Sequence, residues 1–371
     1  MHRTGGAARR PGRYSGRMRS RLFARALALC AAFLAPALAS AHEVYVLTPA
    51  EIRYGLAAPP FNEAAFAWAD FSQFAFWAFL AALVVFIVFF ASIIRPLERR
   101  LGPSLAKLRP YAPAISRVTV GLGFLTAAYH QALFGPELPL AGTFAGYEGL
   151  VTGALVIIGF FIAFGAYARA AALAAILLFC IEVIAHGVYM LTYVNYLGEL
   201  LLLLILGANT LAVHTRGNGA RRAPEWLRRA EERLAPYGFL ILRVAFGISL
   251  LYASFYAKIL HNNLALQVAS LPLAGHPESL AAVFGFEPHF LVLGAAIIEI
   301  VIALFFILGI EIRFTSLFLL FWLSLSLWYF GEAVWPHIIL IGIPVAFIFY
   351  GYDRYSLEGR FFKRRGREPV L

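Results

Sequence analysis

The sequence predicts an all-α polytopic membrane protein, with a lone helix followed by two parallel four-helix bundles. Of its 371 residues, 61% are hydrophobic and 14% are charged, whereas soluble domains carry roughly 25% charged residues. The apolar residues form long blocks rather than alternating patterns, which is typical of membrane-spanning helices. Short motifs also recur in the two halves of the chain, which indicates a duplicated unit.

The N-terminal 41 residues are predicted to be a secretory signal peptide. They contain eight arginines and no acidic residue, then the apolar run ALALCAAFLAPALA and the small-x-small pattern ASA that ends at Ala41. An uncleaved first helix is the alternative. Cleavage after Ala41 would leave Cys180 as the only cysteine and would exclude an intramolecular disulfide.

Nine apolar segments follow, and spanning a bilayer needs about 20 apolar residues. Their predicted limits are 73–94, 118–135, 148–166, 170–190, 194–214, 237–257, 290–309, 314–331 and 337–352. The predicted organisation is a signal peptide (1–41), a periplasmic segment (42–72), a lone helix (73–94), a cytoplasmic linker (95–116), a first unit (117–214), a second cytoplasmic linker (215–236), a second unit (237–352) and a basic cytoplasmic tail (353–371).

The distribution of lysine and arginine predicts the orientation. The two linkers and the tail, together with Arg117, hold eighteen basic residues, and short turns add Arg169 and Arg313. The segments on the other side hold only Arg53 and Lys258. We therefore expect a bacterial inner-membrane protein with a periplasmic mature N-terminus and a cytoplasmic C-terminus. The net charge of +11 falls to +3 without the signal's eight arginines, so nothing indicates nucleic-acid binding.

Two motifs mark the repeat. SRVTVGLGFL opens the first unit and LRVAFGISLL opens the second, and both contain Arg-Val-x-x-Gly. GAYAR and GIEIR are a second matched pair, with the pattern Gly-x-x-x-Arg. Because four helices are an even number, both units should face the same way, related by an axis along the membrane normal.

The repeated arginines are predicted structural anchors: Arg117, Arg169, Arg243 and Arg313. Arg243 lies within an apolar run, where an uncompensated guanidinium is costly. In one interpretation its stem follows apolar surface and its guanidinium reaches the inner headgroups. In the other it pairs inside the protein with a carboxylate, or with a lipid phosphate.

Several residues of the second unit carry a resemblance to a known family: Arg243, Gly247, the aromatic-x-Lys that ends at Lys258, Glu299 and the Gly-x-x-x-Arg that ends at Arg313. In these residues the unit resembles the DoxX/DoxD family of small four-helix membrane proteins. The first unit matches less well, because it lacks counterparts of Lys258 and Glu299. The family includes the membrane subunit of thiosulfate:quinone oxidoreductase and relatives tied to periplasmic redox or metal handling. The resemblance therefore implies a component of a periplasmic redox system, with quinone as the suggested cofactor.

Ionisable residues at membrane depth are functional candidates, because their burial must be compensated. Glu182 and His186 are four residues apart and share a helix face. Lys258 ends one predicted helix, and Glu299 lies in the middle of the next. Quinone reduction needs proton donors to two carbonyl oxygens and a flat apolar slot. We therefore predict that these four residues are catalytic.

Other polar residues are expected near the periplasmic ends of the helices and are predicted to bind the cofactor. His130 ends the second predicted helix, Glu199 begins the fifth, and Glu332 and His337 flank the start of the ninth. Membrane lipid and a periplasmic redox or metal-handling protein are the expected partners.

Two other functions stay open. Imidazole and carboxylate groups suit Zn, Cu(II) or Ni, and cleavage after Ala41 would expose the amine and imidazole of His42 as a copper chelate. A carrier or accessory factor for a metal or small solute is thus one alternative. In the other, the polar groups form interhelical hydrogen bonds, and the protein is a structural subunit of a membrane complex.

Overall fold

The computed structural model describes residues 47, 49–61, 74–207, 211–212, 225–272, 278–330, 335–353 and 355–363. This part of the chain is helical, with one isolated bridge between Ala132 and Pro139 and no strand. The predicted signal peptide, His42 and Glu332 lie outside the described residues.

Within the described part, the α-helices of seven or more residues are α1 (Pro49–Ala57), α2 (Phe74–Ala106), α3 (Ala112–His130), α4 (Glu148–Phe164), α5 (Ala168–His186), α6 (Val194–Leu206), α7 (Glu225–Phe255), α8 (Asn262–Ser270), α9 (Pro288–Leu308), α10 (Ile312–Phe330), α11 (His337–Tyr350) and α12 (Leu357–Lys363). A 3-10 helix, Gly187–Tyr193, joins α5 to α6, and a π-helix, Tyr256–Leu260, extends α7.

Five helical runs in the described part are long and apolar enough to cross a membrane: Phe76–Glu98, Ala168–Leu206, Arg229–Leu260, Pro288–Leu308 and Ile312–Tyr329. The apolar helices α4 and α11 are shorter. These long apolar helices fit the predicted all-α membrane protein. Each of the nine predicted spans overlaps a helix, but the helices at 118–135 and 194–214 end early, at His130 and Leu206, and one run, from α5 through α6, covers two spans. The nine-span topology stays a prediction.

The helices pack in matching pairs in the two halves of the chain. In the first half α3 packs on α4 and α5 on α6, and in the second α7 packs on α9 and α10 on α11. Across the halves, α6 packs on α7, and α11 packs on α3. The last helix of each half thus contacts the first helix of the other.

Close glycine contacts hold the halves together. A Cβ on Gly198 of α6 would lie 2.6 Å from the Cβ of Ala245 in α7, and one on Gly342 of α11 would lie 2.3 Å from Oγ1 of Thr119 in α3. When the repeated arginine motifs are aligned, these two contacts occupy equivalent positions. The two halves therefore make the same close approach to each other.

Two buried arginines cap the ends of neighbouring helices. Arg117 donates from Nη1 to the carbonyl oxygens of Ile162 (3.1 Å) and Ala163 (2.7 Å), in the last turn of α4. Arg243 donates in the same way to Ile307 (2.8 Å), in the last turn of α9. The last carbonyls of a helix have no partner within it and carry partial negative charge, so each guanidinium satisfies a helix end.

The second pair of repeated arginines caps the last helix of each half. Arg169 donates from Nε to Leu204 (3.1 Å) and from Nη2 to Ile205 (3.0 Å), at the end of α6. Arg313 donates from Nε to the carbonyl of Ile348 (3.1 Å), near the end of α11. The four caps lie at the same end of the bundle, which we name the capped end.

Of the two interpretations of Arg243, the structure shows the interior one. The residue is 1% exposed, and its Nε lies 2.9 Å from Oδ2 of Asp353. Arg117 is also 1% exposed. The expectation that the guanidinium of Arg243 extends to the headgroups is therefore corrected. Helix-end carbonyls and Asp353 surround it closely enough to offset the loss of water.

Two glycine-to-alanine variants test this packing. Gly309 ends α9 at φ +71°, and a Cβ there would lie 2.8 Å from Nη1 of Arg243. Gly285 has φ +68° with nothing within 4 Å of such a Cβ. We expect Gly285→Ala to cost about 1 kcal/mol, from backbone strain alone. We expect Gly309→Ala to cost about 2–4 kcal/mol, because crowding adds to strain.

The measurement is thermal unfolding of the purified full chain in detergent. Equal losses of stability in the two variants would mean that the cap of α9 tolerates crowding, against this description.

Candidate functional site

The end of the bundle opposite the caps carries most of the predicted catalytic residues. We name it the distal end. There α3, α5 and α7 finish, while α6, α9 and α11 begin. The polar groups at this end come from both halves of the chain.

The first polar group at the distal end is a triad of Glu182, His186 and Thr143. Oε2 of Glu182 lies 3.0 Å from Nε2 of His186, and Oγ1 of Thr143 lies 3.2 Å from each of these two atoms. The side chain of Glu182 is 1% exposed and that of His186 33%. A buried carboxylate thus orients a partly accessible imidazole, an arrangement that can pass a proton inward from the surface.

The second group is the ion pair of Lys258 and Glu299. Nζ of Lys258 lies 3.0 Å from Oε2 of Glu299, and the two side chains are 9% and 18% exposed. Lys258 lies in the π-helix, which closes with a bond from the backbone N–H of His261 to the carbonyl of Tyr256 (2.9 Å). Single π-helical turns inside α-helices occur frequently at functional sites. The π-helical backbone is therefore a second feature, besides the ion pair, that marks Lys258 as a functional candidate.

Glu137 is a distal residue that the sequence analysis missed. Its Oε1 accepts hydrogen bonds from the hydroxyls of Tyr189 (3.0 Å) and Tyr193. The ring of Tyr189 also contacts that of Tyr256, at 5.1 Å between centroids. Tyr256 lies in the same π-helix as Lys258, so these tyrosines connect the two halves at the distal end. In the sequence, Glu137 is a single acidic residue in the loop PELP, and it has none of the helical periodicity that marked the other candidates.

The predicted cofactor-binding residues that the structure describes, His130, Glu199 and His337, do not form one group. The ring of His130, at the end of α3, stacks on Trp335 at 6.4 Å between centroids. His337 is 4% exposed, at the start of α11. The placement of His130 and His337 at the distal end agrees with the expectation.

The expectation for Glu199 is wrong. It is 0% exposed in the middle of α6, and its Oε1 accepts a hydrogen bond from Oγ of Ser116 (2.7 Å). Ser116 is next to Arg117 at the capped end of α3. His130 is fourteen residues further along that helix, or roughly 21 Å at 1.5 Å per residue. The seven-residue 3-10 helix after α5 occupies the distal position that Glu199 was expected to fill.

Three buried glutamates converge at the capped end: Glu98 of α2, Glu311 before α10 and Glu358 of α12. Their carboxylate oxygens lie within 4.8 Å of one another, close enough to share a cation. Tyr352 donates its hydroxyl to Oε2 of Glu98 (2.7 Å), and Nη1 of Arg313 lies 3.9 Å from Oε1 of Glu98. The cluster ties the lone helix α2 to the second half of the chain.

Burial, together with the nearby carboxylates of Glu311 and Glu98, raises the pKa of the Glu358 carboxyl to about 8. Glu358 lies in α12, after the last predicted span. A neutral Glu358 therefore fits the folded protein better than an ionised one.

An apolar cleft lies between α2, α9 and α10. It encloses about 30 Å³ and is open along one side. Its lining residues are Leu83, Phe86, Ile87, Ile298, Val301, Ile302, Phe305, Phe314, Thr315 and Phe318. Ile298, Val301 and Ile302 flank Glu299 on α9.

No protein-family model, curated protein or solved structure matches this chain.

The raised pKa of Glu358 predicts a pH dependence of stability. The unfolded carboxyl has a pKa of about 4.3 and the folded one a pKa of about 8. Between these values the unfolded state binds fewer protons than the folded state, so stability falls as pH rises through this window and levels off above it. Glu358→Gln should flatten this part of the profile.

The measurement is hydrogen exchange of residues 355–363 in the full chain from pH 5 to pH 9, with Glu148→Gln, which removes a carboxylate at the start of α4, as the control. If the stability of residues 355–363 in the wild type did not depend on pH, or if Glu358→Gln left that dependence unchanged, the raised pKa of Glu358 would be contradicted.

Proposed function

We propose that the protein is a DoxX-like integral membrane component of a quinone-linked periplasmic redox system. In this proposal it spans the inner membrane nine times, as a lone helix and two parallel four-helix units. The capped end is cytoplasmic and the distal end periplasmic. The support for this orientation is the excess of basic residues in the segments that join the helices at the capped end.

The observation that carries the proposal is the pair of Lys258 and Glu299. Ionisable side chains within membrane-spanning segments are costly, and they mark functional sites by default. Both members of this pair are mostly buried, and Lys258 lies on a π-helical turn. A mostly buried charge pair at a distorted helix end is costly, and proton transfer to a bound substrate would give it a function.

The chemistry of quinone reduction matches the distal side chains. A quinone takes up two electrons and two protons to become a quinol. In our proposal the electrons come from a reduced periplasmic partner. The ammonium of Lys258, held by Glu299, would donate a hydrogen bond and then a proton to one carbonyl oxygen of a bound quinone. His186, backed by Glu182, exchanges protons with the solvent and supplies the second proton.

The carrier alternative finds less support. A carrier needs an open path between the two units, but the close contacts of Gly198 with Ala245 and of Gly342 with Thr119 close the seam at those two points. A purely structural subunit would be indifferent to loss of the Lys258–Glu299 charges. That indifference distinguishes it from the redox proposal.

The double variant Lys258→Met/Glu299→Gln tests the proposal, because it removes both charges and leaves neither buried alone. We expect affinity for a short-chain quinone to fall about 10–100-fold, since a hydrogen bond from a charged donor contributes about 1.5–3 kcal/mol. The measurement is quenching of intrinsic tryptophan fluorescence by the quinone, on the full chain in native lipid.

Glu148→Gln is the matched control, because it removes a carboxylate of the first half, at the start of α4, and should leave the affinity unchanged. A wild-type chain that binds no quinone would sink the proposal, and so would a double variant that binds as tightly as the wild type.

A further inference from the structure

The three buried glutamates at the capped end have no part in the proposed redox function. Glu98, Glu311 and Glu358 are 8%, 3% and 5% exposed, and one carboxylate oxygen of each lies within 4.8 Å of the others. Carboxylates that are this close and this poorly solvated repel one another, so they persist only with a proton or a cation among them.

Glu358 holds a buried oxygen that has no hydrogen-bond partner. Its Oε2 accepts a hydrogen bond from the backbone N–H of Glu311, whereas its Oε1 accepts none. The hydroxyl of Tyr352 is also close, but it donates its proton to Oε2 of Glu98 (2.7 Å). The other described groups that act on Glu358 are the carboxylates of Glu311 and Glu98. A buried acceptor without a donor is costly, and one that faces two further carboxylates calls for a positive ligand.

The first half of the chain shows how the equivalent arginine is neutralised without a ligand. Arg169 forms a close ion pair with Glu231. In the second half, Nη1 of Arg313 is buried, makes no hydrogen bond and lies 3.9 Å from Oε1 of Glu98. One guanidinium at this distance does not offset three carboxylates. The second half therefore gathers more negative charge than its arginine needs.

We propose that Glu98, Glu311 and Glu358 bind a divalent cation of the class that prefers oxygen ligands, which includes Ca²⁺, Mn²⁺ and Mg²⁺. Oxygens on opposite sides of one Ca²⁺ lie about 5 Å apart, and those of one Mg²⁺ about 4 Å. The spacing of the three carboxylates therefore suits a cation near the size of Ca²⁺ or Mn²⁺. Without the cation Glu358 is neutral, and the bound cation takes the place of its proton.

The cation joins three segments that are far apart in the sequence. Glu98 belongs to α2, Glu311 lies just before α10, and Glu358 belongs to α12. Only 6% of the apolar window of α2 is buried, so the attachment of this helix depends strongly on contacts at its end. The bound cation holds the capped end of α2 against the second half of the chain.

The test uses the purified full chain in detergent, stripped with EDTA and titrated with Mn²⁺, whose unbound fraction is measured by electron paramagnetic resonance. We expect stoichiometric binding that excess Ca²⁺ displaces. Glu358→Gln and Glu311→Gln should each weaken it by at least about 10–100-fold, because loss of even an outer partner of a metal ligand has that effect. Glu225→Gln, which removes an exposed carboxylate of α7, is the matched control and should leave the binding unchanged.

Hydrogen exchange of residues 94–106 reports the attachment of α2. Mn²⁺ should slow exchange there in the wild type and not in Glu358→Gln. In EDTA the two proteins should unfold at the same temperature, because glutamine keeps the size and the neutrality of the protonated acid. Glu98→Gln repeats the comparison if Glu358→Gln fails to fold.

A wild-type chain that binds no stoichiometric Mn²⁺ would overturn the proposal, since a shared proton would then account for the cluster. Binding that survives all three glutamine variants, or that Glu225→Gln weakens as much, would overturn it too, because the Mn²⁺ would then lie elsewhere. Mn²⁺ that binds through the three glutamates but leaves exchange of residues 94–106 unchanged would overturn the attachment of α2.

Discussion

The fold depends on four guanidinium groups that donate hydrogen bonds to the carbonyl ends of helices. Arg117 and Arg243, each 1% exposed, satisfy the last turns of α4 and α9. A buried charge must be compensated by polar groups held close to it, so each arginine fixes the end of one helix relative to another. This constraint explains why a glycine follows each capped helix, because a side chain there would meet the guanidinium.

The two halves share the arginine caps but carry different side chains at equivalent positions nearer the distal end. When the Gly-x-x-x-Arg motifs are aligned, Ser326 takes the place of Glu182, and Leu155 takes the place of Glu299. The arginine caps therefore recur in both halves, whereas these polar residues of the distal end do not. The duplicated scaffold thus carries one triad and one charge pair, and the contact between Tyr189 and Tyr256 joins the two halves at the distal end.

Local spacing predicted part of this structure, and contacts between distant segments determined the rest. The interval of four residues placed Glu182 beside His186, and the helical pattern placed Glu299 where Lys258 reaches it. The role of Arg243 needed Asp353, which is 110 residues away. Glu137 could not be found, since its partners lie across an irregular loop. Glu199 was misplaced because nothing in the sequence marked the 3-10 helix before α6.

The most direct test of a quinone-linked distal site is the content of the purified protein. The full chain, extracted with its native lipid, should carry quinone in an amount comparable to the protein, and the quinone should be lost when Lys258 and Glu299 are both neutralised. Preparations that contain no quinone, or that retain it without these charges, would contradict the account.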